Sequence, residues 1–324
     1  MTDVAARALR VTLLAGGVGG AKMAEGFAAC PEVDLTVIGN VADDDEFHGL
    51  WVSPDIDTLI YSLAGRVNRD QGWGLADEGR RALDTLAELG ADTWMFLGDR
   101  DFGVHIHRSA RLAQGHSRSA ITADMARALG VHARMVLPTD DVVQTRVRTD
   151  AGWQSFQEYF VRDRCAPEVR EIAYEGLAKA RPTAHAIEAL ANADLIVIAP
   201  SNPVVSIAPI LGVPGLRTAL AQGPAPVVAV SPLIGGRVVK GPADRMMRGL
   251  GLRADALGVA QGYRDLAPTM VIDHADAGLA SEIGALAAGV HVIDTLMPDA
   301  AGKARLAREI LALASRPSAG GAAA

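Results

Sequence analysis

The chain has 324 residues, 49% of them hydrophobic, with 34 glycines, few aromatics and a formal net charge of −7. That length supplies one large domain or two joined ones with ample core, and the acidic balance argues against a general nucleic-acid binder, which needs a basic face for phosphates. Two cysteines, Cys30 and Cys165, lack CxxC spacing, which excludes a disulfide framework or zinc finger and suits a reducing, cytoplasmic compartment.

The opening MTDVAARALR is broken by Asp3, Arg7 and Arg10 and has no apolar run of the kind an export signal carries. Short aliphatic segments then recur, each bounded by turn residues: VTLLA from Val11, DLTVIGN from Asp34, TWMFLGD from Thr93, HARMVLP from His132, DLIVIAPSNP from Asp194, PVVAVSP from Pro226, TMVIDH from Thr269 and VHVIDT from Val290. Each reads as a buried strand. Helical periods lie between them, such as Met23 with Phe27 and Ile187 with Leu190 and Ala191. This alternation predicts an α/β fold: a doubly wound, mostly parallel Rossmann-like sheet with helices on both faces.

VQTRVRTDAGWQSFQEYFV, from Val143 to Val161, breaks the pattern, because β-branched and aromatic residues alternate around the turn TDAG. It predicts a hairpin followed by a helix, and so an inserted α+β subdomain at 143–180. The core is then 1–142 with 181–314, and the small-residue tail at 315–324 is expected to be disordered. The longest uncharged run, Leu195 to Leu216, holds Pro200, Pro203, Pro209 and Pro214, so it reads as strand plus loop and no membrane span is expected.

Chemistry concentrates at the strand ends. LLAGGVGGAKMAEGF sets Gly16, Gly17, Gly19 and Gly20, with Lys22, between the first strand and its helix, where backbone N–H groups can meet a phosphate. Neither the dinucleotide fingerprint nor a Walker loop is complete, and a tight βα turn is the bland alternative. Next comes NVADDDEFHGLWVSPDIDTLIYSLA, dense in aspartate yet carrying Phe47, Leu50 and Trp51. Asp43 to Asp45 read either as a solvated loop or, with Asp55 and Asp57 at a helix start, as ligands of a hard cation such as Mg²⁺.

LGDRDFGVHIHR then places Arg100 after a strand, with His105 and His107 alternating as on a strand and given no chemistry. APSNPVVSIAPILGVPG offers Ser201 and Asn202 on a proline-stiffened loop, and SPLIGGRVVKGPADRMM offers Gly235, Gly236, Lys240 and Gly241 as a second anion-binding loop. A regulatory nucleotide-binding protein and an NAD-dependent dehydrogenase both compete with an enzyme of phosphoryl chemistry, but the dehydrogenase lacks its third fingerprint glycine.

In order along the chain, GGVGGAK, SPDIDTLIYSLAG, LGDRD, APSNPVVSIAPIL, VAVSPLIGG, KGPA and DTLM resemble the 2-phospho-L-lactate transferases of coenzyme F420 biosynthesis, including their phosphoenolpyruvyl-transferring bacterial members. The resemblance spans almost the whole chain. It implies a usually dimeric, Mg²⁺-assisted transferase that moves the phospho-acid part of a guanosine diphospho-donor to the ribityl hydroxyl of the deazaflavin FO and releases GMP. Carried onto this sequence, it implies nucleotide contacts at Gly16, Gly17, Gly19, Gly20 and Lys22, at Asn40, and at Ser201, Asn202, Pro203 and Ser206. It implies FO contacts at Asp57 and Arg100, which are also the catalytic candidates, with Trp51 as an apolar wall. Asp45, Asp55 and Asp57 are the metal candidates.

Overall fold

The computed structural model describes residues 7–314, so the tail predicted as disordered at 315–324 lies outside the described residues. Strand β1, Leu9–Ala15, leads into helix α1, Gly17–Ala28, and β2, Val33–Gly39. A small hairpin follows, β3 at Asp45–Phe47 and β4 at Leu50–Val52, and then α2, Pro54–Leu63. Helices α3, Arg81–Glu88, α4, Asp99–Ala113, and α5, Arg118–Ala128, precede β5, Arg134–Val136.

The insertion contains β6, Gln144–Thr149, β7, Gly152–Ser155, and β8, Glu171–Glu175. The chain then returns through β9, Leu195–Ile198, β10, Val227–Val230, a second hairpin of β11, Leu233–Ile234, and β12, Arg237–Val238, and ends with β13, Thr269–Ile272, β14, Gly289–Val292, and a final helix, Ala300–Ala314.

Seven strands form one sheet in the order β14-β13-β10-β9-β1-β2-β5, and every pairing in it is parallel. The physical cause is legible in β1 and β9: LIVI is aliphatic throughout, and LRVTLLA is so apart from Arg10 near its start and the buried Thr12, whose hydroxyl donates to the Ala189 carbonyl, as suits strands covered on both faces. Alternate side chains feed two cores. Leu14, Ile38, Ile196 and Ile198 face one, while Leu13, Val37, Leu195 and Val197 face the other with Met23, Phe27, Leu59 and Ile310. Each such fully buried aliphatic side chain contributes about 1.5–3 kcal/mol relative to exposure.

Of the eight expected strands, TWMFLGD does not pair. Residues 93–98 run as an irregular connection, and Leu97 joins Val52, Leu83 and Phe102 in a small separate cluster. Leu97 and Met95 pack instead against Leu83 of α3 and Phe102 of α4, while Phe96 stays exposed. The insertion also departs from its forecast. The hairpin forms, but the expected helix is a single turn at Glu158–Arg162, and β8 then pairs with β6 to complete a three-stranded antiparallel sheet. Alternation at Ile172 and Tyr174, both packed on the main core, explains the third strand.

Because β1 is followed by β2 on one side and pairs with β9 on the other, the strand order reverses between β1 and β9. Crevices at such reversals, beyond the carboxyl ends of the strands, are where open α/β sheets hold ligands. The loops after β1, β2 and β9 all emerge there.

Candidate active site at the sheet reversal

The first wall of the crevice is the glycine loop. Gly17 has φ +61°, a left-handed conformation natural to glycine, and its N–H donates to Asp55 Oδ1 at 2.7 Å. Gly16 N–H donates to Ser201 Oγ at 3.1 Å, and that hydroxyl donates back to the Gly16 carbonyl at 2.7 Å. A Cβ on Gly19 would collide with the Pro200 carbonyl oxygen. Close packing of the β1 and β9 loops therefore accounts for Gly19 and Gly20, while α1 has no acid in its own first turn and takes its N-terminal side-chain acceptor from Asp55. Gly19→Ala is expected to cost about 1–3 kcal/mol through this backbone collision, and thermal melting against wild type checks it.

Lys22 is partly buried on α1, and its ammonium donates to the Met297 carbonyl at 3.1 Å. Burial, with help from Lys303, pulls its pKa down. Lys240 acts on it from the loop after β12, since Lys22 is among the causes that lower the pKa of Lys240. Two ammonium groups beside a helix N-terminus form a local cationic patch on an acidic protein. Asn202 caps the turn Pro203–Ile207, accepting from Val204 N–H at 2.9 Å, and so stiffens the loop that presents Ser206 to Asp55.

The second wall is acidic. Asn40, at the end of β2, donates through Nδ2 to Asp55 Oδ2 at 3.0 Å and to Asp43 Oδ1 at 3.3 Å. Asp43 and Asp55 are both buried. Burial, followed by repulsion from Asp55 and Asp44, pushes the Asp43 carboxyl well up, and burial pushes Asp55 up against the hydrogen bonds it accepts from Asn40 and Gly17. Two buried carboxyls in contact share a proton or a cation. Asp55 was expected here; Asp43 was one of three adjacent aspartates that spacing could not separate.

The structure does not gather Asp45, Asp55 and Asp57, and no cluster of three His, Cys, Asp or Glu groups able to hold a metal occurs among the described residues. Asp45 opens β3 and accepts from Gln144 Nε2 at 3.3 Å. Asp57 points the other way, into a buried ion pair with Arg108, and its second oxygen lies 3.8 Å from His105 Nδ1. Two residues along a helix turn the side chain by about half a circle, which is why Asp55 and Asp57 cannot share one ligand. The remaining pair, Asp43 with Asp55, fits Mg²⁺, a cation usually held by one or two carboxylates, water and substrate phosphate.

Several other expectations need correction. His105 and His107 lie on α4, not on a strand; His105 is buried and His107 exposed. Arg100 is exposed at the start of α4 and donates to the Ala76 carbonyl at 3.1 Å, so it does not join Asp57. Asp57, sealed against Arg108, is poorly placed to take a proton from a substrate hydroxyl. Trp51 is not an open apolar wall, because its Nε1 donates to Asp44 at 3.0 Å and the Arg118 guanidinium covers its ring at 4.3 Å from the centroid. Phe47 stacks edge-on against Trp94 at 5.4 Å. The Ser53 hydroxyl also donates to Asp44, at 2.8 Å.

Behind the crevice, then, sits a second buried network that sequence reading missed: Asp101, His105 and Arg108 of α4, with Asp57, Asp44 and Arg118. The signal was the spacing 101, 105, 108, one helix face, hidden because the segment read as strand. Burial pushes the carboxyls of Asp44 and Asp101 up to about 7 each and pulls His105 down to about 4.

These shifts fix a sign. Above about pH 4 the unfolded chain has released protons that native Asp44 and Asp101 still hold, so their contribution to stability is lost as pH rises toward about 7. His105 works the opposite way between about pH 4 and 6.5, where only the unfolded chain binds its proton. With two acids against one imidazole, the urea midpoint is expected to fall from about pH 5 to about pH 8, and Asp44→Asn, which cannot titrate, flattens that fall. A variant with the wild-type slope would refute the assignment to Asp44.

Among the described residues, no single helix is long and apolar enough to cross a membrane; the apolar helices Pro203–Gly212 and Leu216–Gln222 are bent by 84° against each other. That pair is buried core around the Asn202 loop.

Solved structures share the architecture. A UPF0052-family protein from Bacillus halodurans superposes with a TM-score of 0.59 at 16% identity, over 94% of this chain and 99% of that one, which establishes the fold alone. Curated relatives are much nearer in sequence. A phosphoenolpyruvate transferase from Streptomyces griseus subsp. griseus is 40% identical over 313 residues, covering 94% of this chain and 98% of the relative. A 2-phospho-L-lactate transferase from Methanopyrus kandleri is 38% identical over 309 residues, covering 94% and 97%. Residues 11–287 match the family described as 2-phospho-L-lactate transferase CofD, and with those relatives spanning nearly its whole length, this chain belongs to that transferase family.

Proposed function

We propose that the protein transfers a phosphoenolpyruvyl or 2-phospho-L-lactyl group from a guanosine diphospho-donor to the ribityl hydroxyl of the deazaflavin FO, releasing GMP, in coenzyme F420 biosynthesis. The observation that carries this reading is the crevice at the sheet reversal, where the glycine loop meets the buried Asp43–Asp55 pair through the Gly17 N–H bond to Asp55, with Lys22 on the helix that follows the loop. Donor phosphates suit the first wall, and Mg²⁺ held by Asp43 and Asp55 suits the second. When bound, the cation supplies neutralisation of charge on the transferred phosphoryl group.

The chain's own residues do the positioning. Asn40 orients both carboxylates, Ser201 ties the β1 loop to the β9 loop, and Asn202, Pro203 and Ser206 keep that second loop rigid. On the acceptor side, Asp57 holds Arg108 in place, and Arg100 offers an exposed guanidinium to FO. The near relative from Streptomyces favours the phosphoenolpyruvyl donor. In this reading the enzyme is a cytoplasmic homodimer that takes neither nucleic acid nor membrane, in keeping with its two buried free cysteines.

FO fluorescence titration, with and without Mg²⁺ and GDP, tests the reading, together with mass spectrometry of the product after adding the donor. Saturable FO binding and a product heavier by the phospho-acid group support it. Tight GDP binding without any FO binding points instead to a regulatory nucleotide-binding protein. Light scattering reports the dimer.

A further inference from the structure

The inserted subdomain meets the acidic loop after β2 at three consecutive carbonyls. The Ala42 carbonyl accepts from the Thr145 N–H of β6, the Asp43 carbonyl from Gln157 Nε2 at 3.0 Å, and the Asp44 carbonyl from Gln144 Nε2 at 3.2 Å. The two glutamines lie 114 and 100 residues from the carbonyls they hold. Peptide units are planar, so holding one carbonyl holds its whole unit. Thr145 fixes the unit that enters Asp43. The unit that leaves it is fixed by Gln157 and by the Asp44 N–H, which donates to the Val41 carbonyl at 3.4 Å. With both flanking units held, the direction in which the Asp43 side chain leaves the backbone is set, and that direction is toward Asn40 and Asp55.

Gln157 is itself held in place. In SFQE, Glu158 N–H donates to Ser155 Oγ at 3.2 Å and Ser155 N–H donates to Glu158 Oε2 at 2.8 Å, a reciprocal cap that locks the turn around Gln157. Phe156 stacks on Phe160 with 5.5 Å between centroids and joins the main core. Gln157 is 3% exposed, and an amide buried that deeply is retained where it has a polar partner. Its partner is the backbone of Asp43. On the other side of the loop, Trp51 and Ser53 bond the Asp44 carboxylate, so the two neighbouring acids are anchored in opposite directions.

We propose that Gln157, supported by Gln144, is a positioning residue of the reaction: the insertion aims the Asp43 carboxylate at Asp55 and so completes the pair that takes the cation. Both glutamines act through the backbone of the acidic loop and touch neither substrate nor metal. That Asp43 works with Mg²⁺ rests on the function proposed above; the hold of the insertion on Asp43 stands without it.

Gln157→Met in the full chain tests this, because methionine keeps the length of the side chain and donates no hydrogen bond. Mn²⁺ binding is read by electron paramagnetic resonance, with and without GDP, and transfer to FO by steady-state kinetics. The variant is expected to bind Mn²⁺ about tenfold more weakly and to lose a similar factor in kcat, while the KM for FO keeps its wild-type value. Added to Asp43→Asn it causes no further loss, since its effect passes through Asp43. Gln144→Met is expected to shift both readouts in the same direction by less, and Trp153→Ala, on the exposed side of the insertion, to behave as wild type. Melting curves establish that each variant is folded; if Gln157→Met does not fold, Gln144→Met carries the test, and a wild-type response from it overturns the proposal. Wild-type Mn²⁺ binding and kcat in folded Gln157→Met, an equal loss in Trp153→Ala, or a loss that multiplies with that of Asp43→Asn also overturns it. If wild type binds Mn²⁺ but transfers nothing to FO, the reaction falls and Mn²⁺ affinity decides on Gln157. If wild type transfers without binding Mn²⁺, the cation falls and kcat decides. If it does neither, both readings fall.

Discussion

Replacing Arg108 by methionine is expected to destabilise the protein by about 3–5 kcal/mol, the scale seen when one partner of a buried ion pair is removed. Arg108 is buried on α4 and bonded to Asp57, with its Nη1 also 3.2 Å from His105 Nδ1 and 3.3 Å from the Trp51 carbonyl. Its charge also acts on Asp44 and Asp101, holding both carboxyls lower than burial alone would set them. Methionine matches the aliphatic stem but leaves Asp57 as a buried charge, and Asp57 Oδ2 already lacks a hydrogen-bond partner. Chemical unfolding monitored by circular dichroism measures the loss. Pairing Arg108→Met with Asp57→Leu is expected to recover much of it, since replacing both members by apolar groups removes the orphaned charge. A double variant no more stable than Arg108→Met would show that the pair is not what the arginine supports.

Asp55→Asn is expected to lower the transfer rate by about a hundredfold to a thousandfold while the fold survives. Asparagine is nearly isosteric and keeps one acceptor oxygen for Gly17 N–H, while its amide nitrogen gives up the acceptor that Asn40 now uses. What it removes is one of the two negative charges offered to Mg²⁺. The loss is therefore expected in kcat and in the Mg²⁺ concentration needed for half-maximal rate, with FO binding little changed. Asp45→Asn, at a residue turned toward Gln144, serves as the contrasting variant and is expected to retain most activity. If the two variants behave alike, Asp55 has no special part in the chemistry. The double-carboxylate reading of Asp43 predicts the same Mg²⁺ dependence for Asp43→Asn.

Aliphatic runs bounded by turn residues were enough to read seven strands and the parallel sheet, because a strand buried on both faces has no other composition open to it. The glycine loop and the Ser201–Asn202 loop were legible for a related reason, since each follows a strand directly and topology sends both to one edge. The long, ordered motifs from GGVGGAK to DTLM carried the family.

Tertiary structure alone decided the direction of each acidic side chain. Spacing set Asp45, Asp55 and Asp57 together on one loop and helix start, but the turn of α2 sends Asp55 to the crevice and Asp57 to Arg108. The hairpin β3–β4 turns Asp45 away and leaves Asp43 facing Asp55. TWMFLGD carried the composition of a strand, yet it joins no ladder and Leu97 packs with Val52, Leu83 and Phe102 away from the sheet. Hydrophobic pattern is a local property of the chain and survives reading one residue at a time. A buried charge takes its role from the partner that neutralises it, and that partner, 51 residues away in the case of Asp57 and Arg108, is supplied only by the fold.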